Sequence, residues 1–452
     1  MLKIYDTQSR AIKEVISTND EVKIYCCGPT VYRDAHVGNL RTFLLSDLIR
    51  RTLEIQGKSV DLVQNITDVG HMAEDANPQD KMLAQAKLEA IDPFDIARKY
   101  EAKFHEDLAH LNIKPARSYP RASESIALMH ELIAKLIKLG HAYVGTDGSV
   151  YFAADSFTNY GAISGNRLKD LKPGHRYEYT DEGGKRFHAD WALWKAAGER
   201  TEMVWDSPWG RGFPGWHIEC SAMSLDLLGE VIDIHIGGID LRFPHHENER
   251  AQTNSVTSIE SVKLWVHGEH LLFEGRKMAK SSGNVVLLKD LLERGYDPLS
   301  LRLCLLENRY RSQMDLTWDS IAAANVTLKR WRRSGFGKAD NYRPDLQIIE
   351  ALNNDLDTPR VIQRLRNVEK DANLADSEKA KVFTFADLVL GLDLGRDLVV
   401  VELPAQLARL LTDRDIARST KNWSESDRLR SELESAGLII NDTAVGQEWE
   451  WR

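Results

Sequence analysis

The sequence predicts an α/β fold in which helices cover a doubly wound parallel sheet. Residues 22–27 form an apolar and β-branched run that is typical of a strand, and Gly28-Pro29 ends it. Residues 39–56 then show the apolar spacing of a helix, and residues 59–68 indicate a second buried strand with a polar end. These elements make a βαβ unit, which brings both strand ends to the same edge of a sheet. Ligands bind at that edge in such folds.

Length and composition limit the class of protein. A chain of 452 residues exceeds a single core, so we expect two to four domains. The hydrophobic fraction of 42% and the charged fraction of 28% are typical of a soluble globular protein. No apolar run is long enough to span a membrane and the first residues lack an apolar signal core, so the sequence predicts a cytoplasmic protein. The net charge of −9 argues only weakly against a nucleic-acid partner, because an acidic chain can carry a local basic face.

The later elements follow from periodicity and turn residues. Residues 82–111 and 123–139 have helical patterns, and residues 141–153 predict a hairpin. Residues 155–214 are rich in Gly, Asp, Arg and aromatic residues with little periodicity, which is typical of an insertion that is functional or mobile. The other predicted elements are a helix through Leu225 and Leu228 that follows the stretch 215–223, helices at 297–306 and 317–333, strands at 231–235 and 263–266, a hairpin at 270–273, and a helical bundle from 359 to about 394.

Four residues that are distant in the sequence predict a metal site. A proline precedes His245 and suits the first turn of a helix, so His245 and Glu249 lie on one face of that turn. Together with Cys27 and Cys220 they offer one nitrogen, one oxygen and two sulfurs, a set that suits tetrahedral zinc. His246 with Glu249, three residues apart, is the geometric alternative. A solvated helix start without a metal is the other interpretation.

The remaining cysteines and a lysine loop complete the candidates. In a reducing compartment, four cysteines are expected to be thiols or metal ligands rather than disulfides. Cys26 should face the opposite side of its strand from Cys27, and Cys304 lies in an apolar helical run that favours the core. Lys277 and Lys280 lie in a loop of small residues, where two lysines can close over a polyphosphate. A surface loop without a ligand is the ordinary alternative.

In this order, the stretches closely resemble the cysteine–tRNA ligase family, whose members are class I aminoacyl-tRNA synthetases with a Rossmann-like catalytic domain. The likeness covers nearly the whole chain. The motifs that carry it are CGPTVY at Cys27–Tyr32, HVGN at His36–Asn39, NITD at Asn65–Asp68, GWHIECSAM at Gly215–Met223, PHHENE at Pro244–Glu249 and KMAKS at Lys277–Ser281.

The resemblance implies roles for individual residues. One zinc ion per chain is implied at Cys27, Cys220, His245 and Glu249, where it selects the substrate thiolate. The implied pocket for cysteine contains Cys27, Thr67, Trp216 and His235. ATP with Mg²⁺ is implied to contact His36, Gly38, Asn39, Gly238, Asp240 and Lys280, and the catalytic residues are implied to be His36, Asn39, Lys277 and Lys280. We also expect positive potential at the triphosphate from His36, the two lysines and the start of the first helix.

The implied activity is ATP-dependent activation of L-cysteine to cysteinyl-adenylate and transfer of cysteine to the 3′ end of tRNA(Cys). The implied partners are tRNA(Cys), ATP and L-cysteine, without a membrane, and we expect a monomer. A catalytic domain is expected at 1–297, with a connective insertion at about 115–214 and the lysine loop at 277–281. An α-helical tRNA-binding domain is expected at 298–394, and a small α+β anticodon-contacting module at 402–452.

The chain departs from the family pattern in three places, of which one is Gly70-His71, where many relatives have acidic residues after the NITD segment. Asn39 replaces the second signature histidine, which keeps a hydrogen-bond donor but removes a charge that histidine can carry. Ala279 replaces a loop serine. Two other functions stay open: a ligase that joins cysteine to a small amine such as an amino sugar, which needs no C-terminal module, and an inactive zinc-binding relative, which would be expected to lose the lysine loop.

Overall fold

The computed structural model describes residues 1–17, 20–70, 80–171, 184–278, 283–397, 403–443 and 446–451. The chain forms two compact units, Met1–Arg396 and Asp397–Arg452. No helix in the described ranges is long and apolar enough to cross a membrane. The predicted α/β class is confirmed by a parallel sheet covered by helices.

The strands are numbered in chain order. The first eight are β1 (Lys3–Asp6), β2 (Ala11–Glu14), β3 (Glu21–Cys26), β4 (Ser59–Gln64), β5 (Ala142–Val144), β6 (Val150–Phe152), β7 (Trp191–Ala196) and β8 (Gly212–Pro214). The others are β9 (Ile232–Gly238), β10 (Val262–Gly268), β11 (Leu271–Phe273), β12 (Arg276–Lys277), β13 (Met314–Leu316), β14 (Leu438–Thr443) and β15 (Gly446–Trp451).

The helices are numbered in the same way. The first seven are α1 (Val37–Glu54), α2 (Lys81–Glu89), α3 (Pro93–His110), α4 (Ile126–Lys138), α5 (Trp216–Leu228), α6 (His245–Thr257) and α7 (Leu288–Glu293). The others are α8 (Pro298–Leu306), α9 (Trp318–Arg333), α10 (Leu346–Asn353), α11 (Thr358–Lys370), α12 (Asp376–Leu390), α13 (Ala405–Ser419) and α14 (Trp423–Ser435).

The central sheet has the strand order β10-β9-β3-β4, and all three pairings are parallel. Alternate side chains of β3 and the residue after it point to opposite faces. Ile24 and Cys26 join the apolar core that contains α1, whereas Tyr25 and Cys27 join a smaller cluster with Cys220. Cys26 and Cys27 therefore point to opposite faces of the sheet, as predicted. The carboxyl ends of the four strands form the edge at which the site is built.

Three features differ from the sequence-based expectation. The pattern at 82–111 forms two helices, because Ala90 adopts a positive φ of 54° and Asp92 caps α3. The supposedly irregular stretch 155–214 supplies β7 and β8, which extend the predicted hairpin into an antiparallel sheet of order β5-β6-β7-β8. The first residues form the hairpin β1–β2, which was not predicted.

A buried ion pair joins α1 to the helices that follow residue 298. The Arg302 guanidinium donates to Asp47 Oδ2 at 2.6 Å and to the carbonyl oxygens of Leu390 at 2.5 Å and Leu111 at 2.8 Å. Both Asp47 and Arg302 have fully buried side chains. A single apolar cluster runs past this pair, with members from β3 and α1 to Leu394. The predicted domain boundary at 297/298 therefore falls inside one continuous core, and its use as a boundary stays a prediction.

The second unit packs α13 and α14 against the antiparallel hairpin β14–β15. Its buried apolar residues include Leu411, Leu433 and Leu438. Arg414 is buried and donates to both carboxylate oxygens of Asp442, which satisfies a charge that would otherwise be costly inside so small a unit.

Candidate active site

Cys27 is held in place by the loop that leaves β3. Its backbone N–H donates to the Ile236 carbonyl of β9 at 3.0 Å, and the next N–H, of Gly28, donates to Asn65 Oδ1 at 2.9 Å. A Cβ atom on Gly28 would lie 1.6 Å from the Asn65 carbonyl oxygen, so only glycine lets the two strand ends approach this closely. Cys27 therefore lies beside β9, and its side chain packs with Cys220 of α5.

Two helices bring the other sulfur, nitrogen and oxygen donors to Cys27. Cys220 lies in the second turn of α5, and its sulfur is 4.0 Å from Cys27 Sγ. His245 and Glu249 lie one turn apart at the start of α6, and His245 Nε2 is 2.9 Å from Glu249 Oε1. Glu249 Oε1 is also 3.7 Å from Cys27 Sγ. The single ligand atoms of these four buried residues all lie within 4.8 Å of one another.

The donor spacing can be compared with the geometry of a metal ion. Zinc–sulfur bonds of about 2.3 Å and zinc–oxygen bonds of about 2.1 Å at tetrahedral angles place two sulfurs about 3.8 Å apart and a sulfur and an oxygen about 3.6 Å apart. The separations of 4.0 Å between Cys27 Sγ and Cys220 Sγ and 3.7 Å between Cys27 Sγ and Glu249 Oε1 are close to these values. Glu249 Oε2 has no hydrogen-bond partner in the described part of the chain. The cluster can hold a metal ion and is compatible with zinc.

Burial sets the protonation of this cluster. Removal from water raises the pKa of Glu249 well above its usual value, with Glu219 adding to the effect. Burial likewise raises the pKa of Cys27, and its thiol donates to Cys220. Burial, the largest single cause, would also raise the pKa of Cys220, but the hydrogen bond from Cys27 and the interactions with His245 together lower it. A divalent cation would favour the ionised form of all three groups, as an anionic ligand set requires.

A second set of donors overlaps the first. His235 Nε2 and His246 Nε2 each lie 3.4 Å from Cys27 Sγ, and with Glu249 they form another group that could hold a metal. Burial, as the largest cause, lowers the pKa of both histidines well below the usual value, so both rings are neutral at pH 7. His246, the alternative ligand predicted from the sequence, thus lies within 3.4 Å of Cys27 Sγ.

The residues implied for the cysteine pocket surround this cluster. The Trp216 ring stacks on His245 with 4.3 Å between ring centroids. Thr67 Oγ1 donates to Glu219 Oε2 at 3.2 Å, which places Thr67 at the end of β4 beside α5. His235 stacks on Trp265 at 4.6 Å and faces Cys27 with Nε2. The structure therefore brings Thr67, Trp216 and His235 to the same buried region as the four donors.

The start of α1 forms a second part of the site. His36 is the N-cap residue, and its Nδ1 accepts from the Asn39 N–H at 3.2 Å while the His36 N–H donates to Asn39 Oδ1 at 3.3 Å. Burial and then the nearby Arg33 lower the pKa of His36 to about 4. His36 is therefore uncharged at neutral pH, so the positive potential expected at this end of the triphosphate would come from the helix start rather than from a charge on the ring. The ring is neutral and offers Nε2–H as a hydrogen-bond donor.

The other residues implied for ATP lie around this helix start. Gly238 ends β9, and a Cβ there would lie 2.4 Å from Asp240 Oδ1 and 3.6 Å from Thr42 Oγ1 of α1. A Cβ on Gly38 would lie 2.9 Å from Met278 Cε, so the Met278 side chain lies close to the helix start. Lys277 is exposed in β12, and the Asn284 side chain donates to its carbonyl at 3.1 Å. Lys280 and Ala279 lie outside the described residues.

Sequence reasoning missed three buried histidine and carboxylate partners. His217 Nδ1 lies 2.8 Å from His245 Nδ1, and its position three residues before Cys220 on one helix face was an available signal. Glu219 lies beside Thr67 and is fully buried. His267 Nε2 lies 2.8 Å from His246 Nδ1. The sequence hinted at His267 only through its position just after the predicted strand 263–266, which in the structure pairs with β9.

Comparison with known proteins identifies the family. Residues 13–326 match the family model of the tRNA synthetases class I (C) catalytic domain, and residues 401–452 match that of the cysteinyl-tRNA ligase anticodon binding domain. A cysteine–tRNA ligase from Chlamydia caviae is 40% identical over 98% of this chain and 97% of its own length. One from Thermus thermophilus is 40% identical over 99% of both chains. The chain belongs to the cysteine–tRNA ligase family.

As a member of this family the chain is an aminoacyl-tRNA synthetase that ligates cysteine to tRNA, so the predicted enzyme class is confirmed. Solved structures agree at the level of the fold. A Mycobacterium tuberculosis methionyl-tRNA synthetase in complex with methionyl-adenylate has a TM-score of 0.55 and 14% identity, over 82% of this chain and 89% of that chain. A second structure of that synthetase has a TM-score of 0.52 and 13% identity, over 81% and 90%. The predicted class I fold is thereby confirmed.

Proposed function

We propose that this cysteine–tRNA ligase holds one zinc ion per chain through Cys27, Cys220, His245 and Glu249. The support is the buried cluster of two sulfurs, one imidazole nitrogen and one carboxylate oxygen, in which the sulfur–sulfur distance and one sulfur–oxygen distance are close to those around a tetrahedral ion. His245 is also held from behind, because its Nδ1 lies 2.8 Å from His217 Nδ1 while its Nε2 faces Glu249. Such outer partners are usual for metal-binding histidines.

The first donor set is preferred over the second because it contains both cysteine sulfurs, which zinc favours over additional imidazoles in sites of this type. When bound, zinc lowers the pKa of the substrate thiol so that cysteine binds as a thiolate, whereas a serine hydroxyl is a poor ligand for it. Trp216, Thr67 and His235 line the space next to the four donors and are proposed to shape the cysteine pocket.

ATP is proposed to bind at the start of α1. Helix N-termini attract phosphate through their free N–H groups and the helix dipole. In this chain His36 donates through Nε2, Gly38 lets the triphosphate approach the backbone, and Lys277 and Lys280 supply positive charge from the lysine loop. Asn39 Oδ1 accepts the capping hydrogen bond from the His36 N–H, so Asn39 Nδ2 is the group that can contact ATP. Gly238 and Asp240 at the end of β9 are proposed to contact the nucleoside, and Mg²⁺ to accompany the phosphates.

The reaction requires alignment more than covalent chemistry. The cysteine carboxylate attacks the α-phosphate of ATP and expels pyrophosphate, and the cysteinyl group then passes to the 3′ end of tRNA(Cys). We assign tRNA contacts to residues 298–394 and anticodon contacts to the module at 402–452. The match of residues 401–452 to an anticodon-binding family model supports the second assignment and disfavours a ligase for small amines. A monomer in the cytoplasm stays the expectation.

The metal assignment is tested by elemental analysis of wild type and Cys220→Ala after dialysis. Wild type should contain one zinc per chain and Cys220→Ala should lose it, together with cysteine-dependent ATP–pyrophosphate exchange. Cys304→Ala is the matched control, because this cysteine is buried in the apolar core of α8 and outside the cluster. Full zinc occupancy in Cys220→Ala would show that the proposed ligand set is wrong.

A further inference from the structure

A line of buried hydrogen bonds leads from the N-terminal hairpin to Cys27. Thr7 Oγ1 lies 2.8 Å from His267 Nδ1, and His267 Nε2 lies 2.8 Å from His246 Nδ1. His246 Nε2 then lies 3.4 Å from Cys27 Sγ, within reach of a hydrogen bond to sulfur. All four residues are buried. We call this line the Thr7–His267–His246 chain.

The Thr7–His267–His246 chain allows two arrangements of its protons. Each bond between ring nitrogens needs one donor and one acceptor, and a neutral imidazole has a single N–H. Burial as the largest cause, with the charge of Arg242, lowers the pKa of His267 to about 3, so its ring is neutral at pH 7. If Thr7 donates to His267 Nδ1, then His267 Nε2 donates to His246 Nδ1, and the His246 proton lies on Nε2. If Thr7 accepts, every proton moves to the other nitrogen and His246 Nε2 presents a lone pair.

Cys27 decides between the two arrangements. A sulfur that ligates a metal is a thiolate, which accepts hydrogen bonds and cannot donate them. The arrangement that starts with a donating Thr7 hydroxyl is therefore the one that satisfies every member. Within the described ranges, the Thr7 hydroxyl makes one hydrogen bond, to His267 Nδ1. The hydroxyl can therefore rotate to donate its proton to that nitrogen.

We propose that Thr7 and His267 are positioning residues that fix the His246 proton on Nε2, so that His246 donates to the Cys27 sulfur and stays off the metal. This rests on the proposed zinc site. The overlapping donor set Cys27, His235, His246 and Glu249 is then not used, because a protonated nitrogen cannot ligate. With His246 kept away, the ion has four protein ligands and retains room for the substrate sulfur.

Two further contacts fit this assignment. A Cβ on Gly237 would lie 2.5 Å from His246 Cε1. The glycine therefore leaves the room that the His246 ring needs against β9. His235 is also 3.4 Å from Cys27 Sγ, but its Nδ1 has no hydrogen-bond partner in the part of the chain that the structure describes. Among the described residues, no outside group fixes the position of the His235 proton. The Thr7–His267–His246 chain therefore acts on His246 specifically.

The test separates a hydrogen-bond donor at position 267 from a side chain that only fills space. A glutamine can donate its amide N–H to His246 Nδ1, whereas a methionine of similar size cannot. We expect zinc affinity, measured by chelator competition, to fall about 10- to 100-fold in His267→Met and to stay near wild type in His267→Gln. In Co²⁺-substituted protein, His267→Met should show weaker visible absorption as His246 joins the ion, and His267→Gln should keep the wild-type spectrum. Equal behaviour of the two variants would overturn the proposal.

A second pair of variants avoids dependence on the folding of His267→Met. Thr7→Val should shift the Co²⁺ spectrum in the same direction and less far, and Thr7→Ser should restore it. The direct readout is the ¹⁵N spectrum of histidine-labelled, zinc-loaded protein, in which His246 should carry its proton on Nε2. A proton on Nδ1 of His246 would overturn this inference alone. A wild-type protein that binds no metal would instead contradict the proposed function and this inference with it.

Discussion

Replacement of Gly28 by alanine tests how the backbone positions Cys27. The added Cβ would lie 1.6 Å from the Asn65 carbonyl oxygen, and ordinary contact begins at 3.4 Å, so the two strand ends must separate by roughly 1.8 Å. That movement breaks or stretches three hydrogen bonds: Gly28 N–H to Asn65 Oδ1, Thr67 N–H to the Pro29 carbonyl, and Val31 N–H to the Thr67 carbonyl. At about 0.5–1.5 kcal/mol each, the loss is about 1.5–4.5 kcal/mol.

The consequence for function follows from the position of Cys27 next to this glycine. Metal ligands tolerate displacements of only about 0.2 Å, and a shift of about 1 Å at a reacting centre costs on the order of 100-fold in rate. We expect Gly28→Ala to lose zinc to a chelator that wild type resists, and to lose about 100-fold in kcat/KM for cysteine-dependent pyrophosphate exchange. Gly268→Ala is the control for zinc retention, because a Cβ at that neighbouring strand end meets no atom closer than 3.7 Å. Wild-type zinc retention in Gly28→Ala would refute the argument.

Three further outcomes are expected. A chain that ends before Pro404 should keep cysteine-dependent pyrophosphate exchange and lose tRNA charging efficiency; undiminished charging would exclude an anticodon role for the second unit. Wild type should activate cysteine over serine by at least ~10⁴ in kcat/KM, and a ratio within about 100 would show that pocket fit rather than a metal reads the side chain. Asp107→Asn should stabilise the protein at high pH. Burial and then the nearby Asp34 raise the pKa of Asp107 from 3.8 to about 7, so the folded state loses stability as the pH rises through that range. The gain in Tm should grow from pH 4 to pH 7 and level off above, and a gain independent of pH would contradict this origin.

The fold was predictable where periodicity was strong. β3, α1 and β4 follow from a β-branched run, a glycine-proline break and a helical apolar pattern. β7 and β8 were missed because their sequences carry aromatic and glycine residues without alternation. β7 pairs with β6 of the predicted hairpin, and β8 pairs with β7. The hairpin β1–β2 gave no turn signal of its own. Its pairing depends on β10 and on contacts that no local pattern reveals, such as the Thr7 N–H to the Trp265 carbonyl.

The candidate site divides in the same way. Helical spacing predicted His245 and Glu249, and the end of a strand predicted Cys27. Cys220 was added because a second sulfur completes a donor set that suits zinc. Thr7 was not predicted, because it lies 260 residues from His267 and no sequence rule joins a threonine in a hairpin to a histidine in a distant strand. Contacts of this kind depend on tertiary packing, which a single sequence does not encode in a readable pattern.

The buried pair of Asp47 and Arg302 bears on how this enzyme can be dissected. A fragment that stops at residue 297 would remove Arg302 and leave the Asp47 carboxylate with Arg51 and the Lys114 N–H, on a helix that has lost its contact with α12. Breaking such a pair by deleting one partner costs about 3–5 kcal/mol, a large part of what holds a typical domain together. We therefore expect the smallest part that folds on its own and keeps the catalytic site to be residues 1–396. Modular exchange of the helical region between relatives should succeed only when α1 is exchanged with it.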